Sequence, residues 1–335
     1  MTMTSDTGRF VLGDLTLQSG DKLPTATLSW KTYGTLSPAK DNVVVYPTSY
    51  SAQHADQEWL IAPDKVLDPT RWFVIAPDMF GNGLSSSPSN TPDYPTVVTT
   101  ADNVRAQKRL LAEAFGIERV AGVYGFSMGA QQAYHWAALF PDAVERAIVV
   151  CGSAKTSVHN KVFLLSLLAT LEAAPEHIGG GRFSAEPKAA LRAFARVYAG
   201  WAMSQDWYRA DLHLSAGAAD LDDFLDTQWE PGFTRRTAAD LYAQATTWLH
   251  SDISANTLYD GDLVRALQAI QARVLLLPAR TDLYFPVADN ANELSHLSHG
   301  ELRPIPTIWG HRAGSPSDNP ADLAFLRKAV LDWMG

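Results

Sequence analysis

The chain has 335 residues, 46% of them apolar, and a formal charge of −9 at neutral pH. That length accommodates one large α/β domain, or a core domain carrying an insertion. The acidic balance argues against nucleic acid or an anionic membrane as a partner, since both need a basic surface. A single cysteine, Cys151, excludes an internal disulfide, and no Cys/His cluster points to a metal. No apolar run reaches transmembrane length, and the polar start MTMTSDTGRF lacks the basic-then-apolar pattern of a signal peptide. The expectation is a reduced, cytoplasmic protein.

In chain order, FVLGDLTL and ATLSWKTYG read as an antiparallel pair of strands. NVVVYP, RWFVIAPD, RVAGVYG, RAIVVCG, RVLLLPA and ELRPIPTIW follow. The middle members are continuous apolar runs, as parallel strands buried on both faces require. Amphipathic stretches lie between them, notably ADNVRAQKRLLAEAFGI, which ends near a glycine. Strand–helix alternation of this kind predicts a doubly wound α/β sheet. From Lys161 to Gln268 the pattern is helical and rich in large aromatics, with APEHIGGGRF as an internal loop. The predicted organisation is a sheet core in residues 1–160 and 269–335, with a helical lid inserted as residues 161–268.

The stretch Gly125-Phe126-Ser127-Met128-Gly129 is G-x-S-x-G, directly after a predicted strand and before the helix AQQAYHWAALF. That context is the one a nucleophile elbow requires: small residues let strand and helix approach, and the serine projects from a strained bend. A serine hydroxyl needs a base, itself oriented by a carboxylate, and the chain order for this arrangement is Ser, acid, His. Asp282 follows RVLLLP and His311 follows the last strand, both at the carboxyl edge where ligands bind in open α/β sheets. Asp289, the main rival to Asp282, falls within the next helix. Of the other histidines, His296 and His299 are on the wrong side of the last strand and His135 is on the helix after the elbow. His177, His213 and His250 lie in the insertion, and His54 and His159 follow edge loops.

The tetrahedral oxyanion of an acyl transfer needs amide donors. The Met128 amide is one. The loop VVVYPTSYSAQH supplies the other, with Ser49 the first choice and Tyr50 the next, its phenol a further donor. Phe126, Tyr50, Tyr284 and Trp309 each adjoin one of these elements and are candidate pocket residues, whereas Trp201, Trp207, Tyr208, Trp229 and Trp248 of the insertion read mostly as lid packing, with a pocket wall the alternative. For Arg312 two readings stay open, a contact to a substrate anion and a structural ion pair. DMFGNGLSSSPSNTP lacks the third glycine and opening helix of a dinucleotide site, and no metal or cofactor is expected.

The segment from ADNVRAQK to TSVHN, with FGNGLSSSPSN upstream and DLYFP and GH downstream, closely resembles the homoserine O-acetyltransferase group of α/β-hydrolases. The resemblance implies an α/β-hydrolase fold with an eight-stranded, mostly parallel sheet, a helical lid, a Ser–Asp–His triad, and often a homodimer built through the lid. The transferases hold the homoserine carboxylate with an arginine of the first lid helix, where this chain has Leu168. They contact its amino group with an aspartate directly after the catalytic histidine, where this chain has Arg312. Their His-Ala-Leu-Thr strand-3 loop is Pro47-Thr48-Ser49-Tyr50 here. An amino-acid substrate needs charge partners in a desolvated site, so these changes argue against homoserine. They point to the hydrolytic branch of the family, which acts on small acetate-type esters, through an acyl-enzyme formed on Ser127. The alternatives are an acyl-CoA-dependent O-acyltransferase with a different alcohol acceptor, and a binding module on a hydrolase fold, which the complete triad disfavours.

Overall fold

A computed structural model of the chain describes residues 4–335. The strands are β1 (Ser5–Thr16), β2 (Lys22–Tyr33), β3 (Val43–Val45), β4 (Phe73–Pro77), β5 (Gly122–Phe126), β6 (Arg146–Val150), β7 (Arg273–Leu277) and β8 (Gly300–Leu302). They form one eight-stranded sheet in the order β1-β2-β4-β3-β5-β6-β7-β8. Pairing is antiparallel from β1 to β2 and from β2 to β4, and parallel across the rest. The sheet is the one expected, with one difference. The last strand, three residues long, keeps only Glu301 and Leu302 of ELRPIPTIW, because Pro304 and Pro306 cannot donate to a ladder.

The apolar runs explain the centre. Val43, Val44, Val45, Val123, Ile148, Val149, Leu275 and Leu276 are all fully buried, their alternating side chains feeding the core on each face of the sheet. At the edge, the β1–β2 register shifts on either side of Gly13, whose φ of 72° supplies the left-handed residue of a bulge.

Helix α1 (Thr100–Phe115) opens on a capping box between Thr99 and Asp102 and closes on Gly116 at φ 62°, the glycine stop predicted for it. Helix α2 (Met128–Leu139) is buried on every side. Two of its polar members are satisfied by α1: Gln107 donates to Gln132 Oε1 at 2.6 Å and accepts from Trp136 Nε1 at 2.8 Å.

Between β6 and β7 the named elements are helical: α3 (Val158–Glu172), α4 (Lys188–Ala202), the short α5 (Gln205–Arg209), α6 (Leu212–Ser215) and α7 (Leu221–Phe224), then α8 (Glu230–Thr234), α9 (Ala238–Leu249) and α10 (Leu263–Gln268). Phe163, Leu167, Phe194, Tyr198, Phe233, Leu241 and Trp248 from α3, α4, α8 and α9 pack with Met128 at the start of α2 and with Tyr50, Tyr284 and Phe285 from loops at the carboxyl edge. These helices therefore cover that edge. Helix α10 differs: Ala266 and Leu267 pack with Ile253, Tyr259 and the sheet's own core, so the covering layer ends with α9. Helices α11 (Val287–Leu294) and α12 (Pro320–Met334) complete the flanks. Among the described residues no helix is long and apolar enough to cross a membrane.

Candidate active site

Ser127 sits between β5 and α2 with φ 57° and ψ −122°, a conformation that L residues rarely adopt. The surrounding glycines make it attainable. A Cβ on Gly125 would lie 2.1 Å from the Gly129 carbonyl oxygen, and one on Gly129 would lie 2.8 Å from the Pro47 carbonyl oxygen. Strand, helix and strand-3 loop can meet only because both positions lack side chains.

The structure brings the three residues singled out in the sequence into one line. His311 Nε2 is 2.9 Å from Ser127 Oγ, and His311 Nδ1 is 2.7 Å from Asp282 Oδ2. All three are buried. The other oxygen of Asp282 accepts the amides of Tyr284 (2.8 Å) and Phe285 (3.2 Å), which fixes the carboxylate plane. The His311 ring lies among Phe126, Tyr284 and Phe285, at centroid distances of 4.8, 4.7 and 5.6 Å. Its loop is braced by Gly310 N donating to Thr281 Oγ1 (3.1 Å) and Trp309 N donating to Thr307 Oγ1 (3.1 Å). Asp289 lies on α11, as expected. Cys151 Sγ, Asp282 and His311 offer ligand atoms within 4.8 Å of one another, but Asp282 and both His311 nitrogens are already joined to each other and to Ser127.

The donor assignments need one correction. The Ser49 amide donates to Gln57 Oε1 at 3.2 Å, and the Ser49 hydroxyl donates to the Phe126 carbonyl, so Ser49 is held by the protein itself. Among the described residues none accepts from the Tyr50 amide, and Tyr50 and Ser127 line the same cavity. Tyr50 is thus the free donor of this loop. Its phenol is not available as a further one: it donates to the Leu241 carbonyl at 2.9 Å. The Met128 amide begins α2, where no intrahelical acceptor exists for it.

The cavity beside Ser127 measures about 760 Å³. Phe126, Trp309 and Arg312 line it, joined by Trp207 and Trp229 from the covering helices. Tyr284 does not: it is fully buried behind His311, with its hydroxyl on the Tyr198 carbonyl at 3.3 Å. Its place in the sequence, two residues after Asp282, puts it under the histidine rather than in front of it. Trp248 is likewise fully buried, and Trp201 stacks on Tyr284. Leu168 is buried in the apolar cluster of α3 and the neighbouring helices.

The remaining histidines stand away from Ser127. His135 is buried on α2 with Nδ1 2.8 Å from the Gln131 carbonyl, and burial pushes it down to about 4. His54 pairs with the fully buried Asp78 at 2.6 Å, which raises its pKa. His159 packs on Trp201. Gln57, Thr281 and Phe285 support the site without having been legible beforehand. Each acts through a contact 8 to 29 residues distant in sequence or through a ring face, and no local motif marks it.

Comparison with known proteins follows the same lines. A family described as the alpha/beta hydrolase fold matches residues 52–307. A probable esterase of Corynebacterium glutamicum is 37% identical over 316 residues, covering 90% of this chain and 88% of that protein. Ethyl acetate hydrolase of Pseudomonas veronii is 34% identical over 308 residues, covering 90% and 87%. Among solved structures, an acetylester hydrolase from Corynebacterium glutamicum superposes with a TM-score of 0.91 at 33% identity, covering 97% of this chain and 96% of that one.

Proposed function

This chain belongs to the α/β-hydrolase fold family, and on that premise we propose that it hydrolyses short-chain carboxylic esters of the acetate type through Ser127, His311 and Asp282. The observation that carries the reading is the unbroken line of hydrogen bonds from Ser127 Oγ through both His311 nitrogens to Asp282 at the floor of an accessible cavity. The likeness to an ethyl acetate hydrolase and an acetylester hydrolase supports the substrate class.

In this mechanism His311 Nε2 takes the Ser127 proton as Oγ attacks the ester carbonyl carbon. The resulting oxyanion is held by the Met128 and Tyr50 amides, aimed at a charge that exists only after attack. The tetrahedral species collapses by breaking the bond to the alkoxy oxygen, and His311 gives that oxygen its proton. A water then loses a proton to His311 and attacks the acyl-enzyme, and Ser127 leaves with the proton returned by His311, releasing the acid. Asp282 holds the imidazole with Nε2 as the acceptor and stabilises its charged form.

Acid release from ethyl acetate by purified protein, with Ser127→Ala as control, tests the proposal. Serine-dependent release supports it. No release from folded protein refutes it and directs attention to acyl transfer from acetyl-CoA.

The same proposal includes a homodimer through the covering helices α3 to α9, which make up most of the predicted lid of residues 161–268 on a core of residues 1–160 and 269–335. Val158, Val162 and Leu165, at helical spacing on α3, are 81%, 53% and 53% exposed, an apolar stripe that a second copy would cover. Sedimentation at micromolar concentration tests this: a species of twice the chain mass is expected, reduced to the monomer in Val162→Lys. A cytoplasmic location completes the reading and is testable by cell fractionation.

A further inference from the structure

Arg312 follows His311 in the 3-10 turn Gly310–Gly314 and lines the same cavity as Ser127. Its environment is unlike that of the chain's other sheltered arginines. Arg236 meets Asp56 at 2.7 Å, Arg146 meets Glu145 at 3.0 Å, and Arg196 meets Glu230 at 2.9 Å. Around Arg312, among the described residues, no carboxylate comes within ion-pair distance and no group accepts a hydrogen bond from it. Asp318 acts on the guanidinium only through space, while burial lowers its pKa from the usual arginine value. The other cation on the cavity wall, Arg235, is already held by Asp56 at 2.7 Å. A guanidinium carries five N–H donors, and those of the half-buried Arg312 have no protein acceptor among the described residues.

The size of the cavity points the same way. About 760 Å³ is a volume suited to a drug-sized ligand, and ethyl acetate, with six heavy atoms, leaves most of it empty. Trp207, Trp229 and Trp309 supply apolar walls, Ser215, Gln228 and Asp318 add polar groups, and Arg312 is the cation of this lining without an ion-pair partner among the described residues.

Resting on the hydrolase reading above, we propose that Arg312 binds a carboxylate of the substrate, so that the preferred ester is one bearing a single additional carboxylate. A carboxylate fits the planar fork with two parallel hydrogen bonds. A doubly charged phosphate fits less well, because Asp318 shares the wall and Arg235 is neutralised. The carboxylate can enter on the acyl side or on the alcohol side of the scissile bond.

The experiment compares kcat/KM for isosteric pairs: monoethyl succinate against ethyl succinamate, and acetoxyacetate against acetoxyacetamide. The expected result is a preference of ten-fold or more for the carboxylate in one pair, and the pair that shows it identifies the side. In Arg312→Gln that ratio falls to about one or below, and in Arg312→Lys it is largely kept. Equal or faster turnover of both amides by the unaltered protein overturns the proposal, as does a preference that survives in Arg312→Gln. If Arg312→Gln does not fold, the preference in the unaltered protein and its response in Arg312→Lys decide. Ethyl acetate hydrolysis serves as the internal reference. Its Ser127-dependence with no carboxylate preference refutes this inference alone, whereas its absence refutes the hydrolase reading as well.

Discussion

Gly125→Ala is the change through which the geometry of the elbow can be tested most directly. An added Cβ would stand 2.1 Å from the Gly129 oxygen, 2.3 Å from the Gly129 carbonyl carbon and 2.5 Å from the Ala130 nitrogen, all backbone atoms. Ordinary contact begins at 3.4 Å, so β5 and α2 must part by about 1.3 Å at this point. No side-chain rotation can relieve the clash. Overpacking of this kind costs about 1–3 kcal/mol or more, and the unfolding midpoint should fall by several degrees. The same displacement carries Ser127 Oγ from 2.9 Å beyond hydrogen-bond reach of His311 Nε2. A misplacement of about 1 Å costs on the order of a hundred-fold in rate. The assay is ester hydrolysis alongside thermal unfolding, with Gly200→Ala as control. Gly200 lies on α4 with nothing within 4 Å of the built Cβ, so alanine there should hold or raise stability by up to about 1 kcal/mol. Full activity in Gly125→Ala would refute the argument that the elbow depends on this close approach.

Asp282→Asn should leave the fold intact and lower turnover by roughly three to four orders of magnitude. The amides of Tyr284 and Phe285 hold the side-chain oxygen, so the new NH₂ faces His311 Nδ1 and forces the proton onto Nε2. Stopped-assay rates with a folded-state spectrum check this. Gln57→Leu removes the acceptor of the buried Ser49 amide and should destabilise by about 1–3 kcal/mol, read by denaturant unfolding. Glu293 is buried beneath the site, accepting from Ala154 N, Tyr134 Oη and Asn290 Nδ2, and burial raises it to about 7. A carboxyl raised in the folded state contributes fully below its unfolded value near 4.5, and that contribution is lost as pH rises towards 7. The loss is on the order of 3 kcal/mol at full ionisation. Unfolding free energy measured from pH 4.5 to 8 should therefore decline less steeply in Glu293→Gln than in the unaltered protein.

What the sequence determined by itself was whatever depends on local pattern. Short runs of valine and leucine favour strands buried on both faces, and Gly116 after an amphipathic stretch favours a helix stop. Gly125 and Gly129 around Ser127 permit the close crossing that places the serine at the sheet edge. Asp282 and His311 were legible because topology puts the ends of β7 and β8 on that edge, whatever their side chains do. The tertiary structure decided what turns on which of two adjacent groups is already engaged. Ser49 ranks ahead of Tyr50 as donor in the sequence, but Gln57, eight residues on, takes the Ser49 amide, while none of the described residues accepts from that of Tyr50. Tyr284 and Trp309 both adjoin the site in sequence, yet one is packed behind His311 and the other faces the cavity. Arg312 was open between an ion pair and a ligand contact, and only the packing leaves it without an ion-pair partner among the described residues. Hydrogen bonds saturate and side chains exclude one another, so these outcomes depend on contacts between segments far apart in the chain, which a linear pattern does not contain.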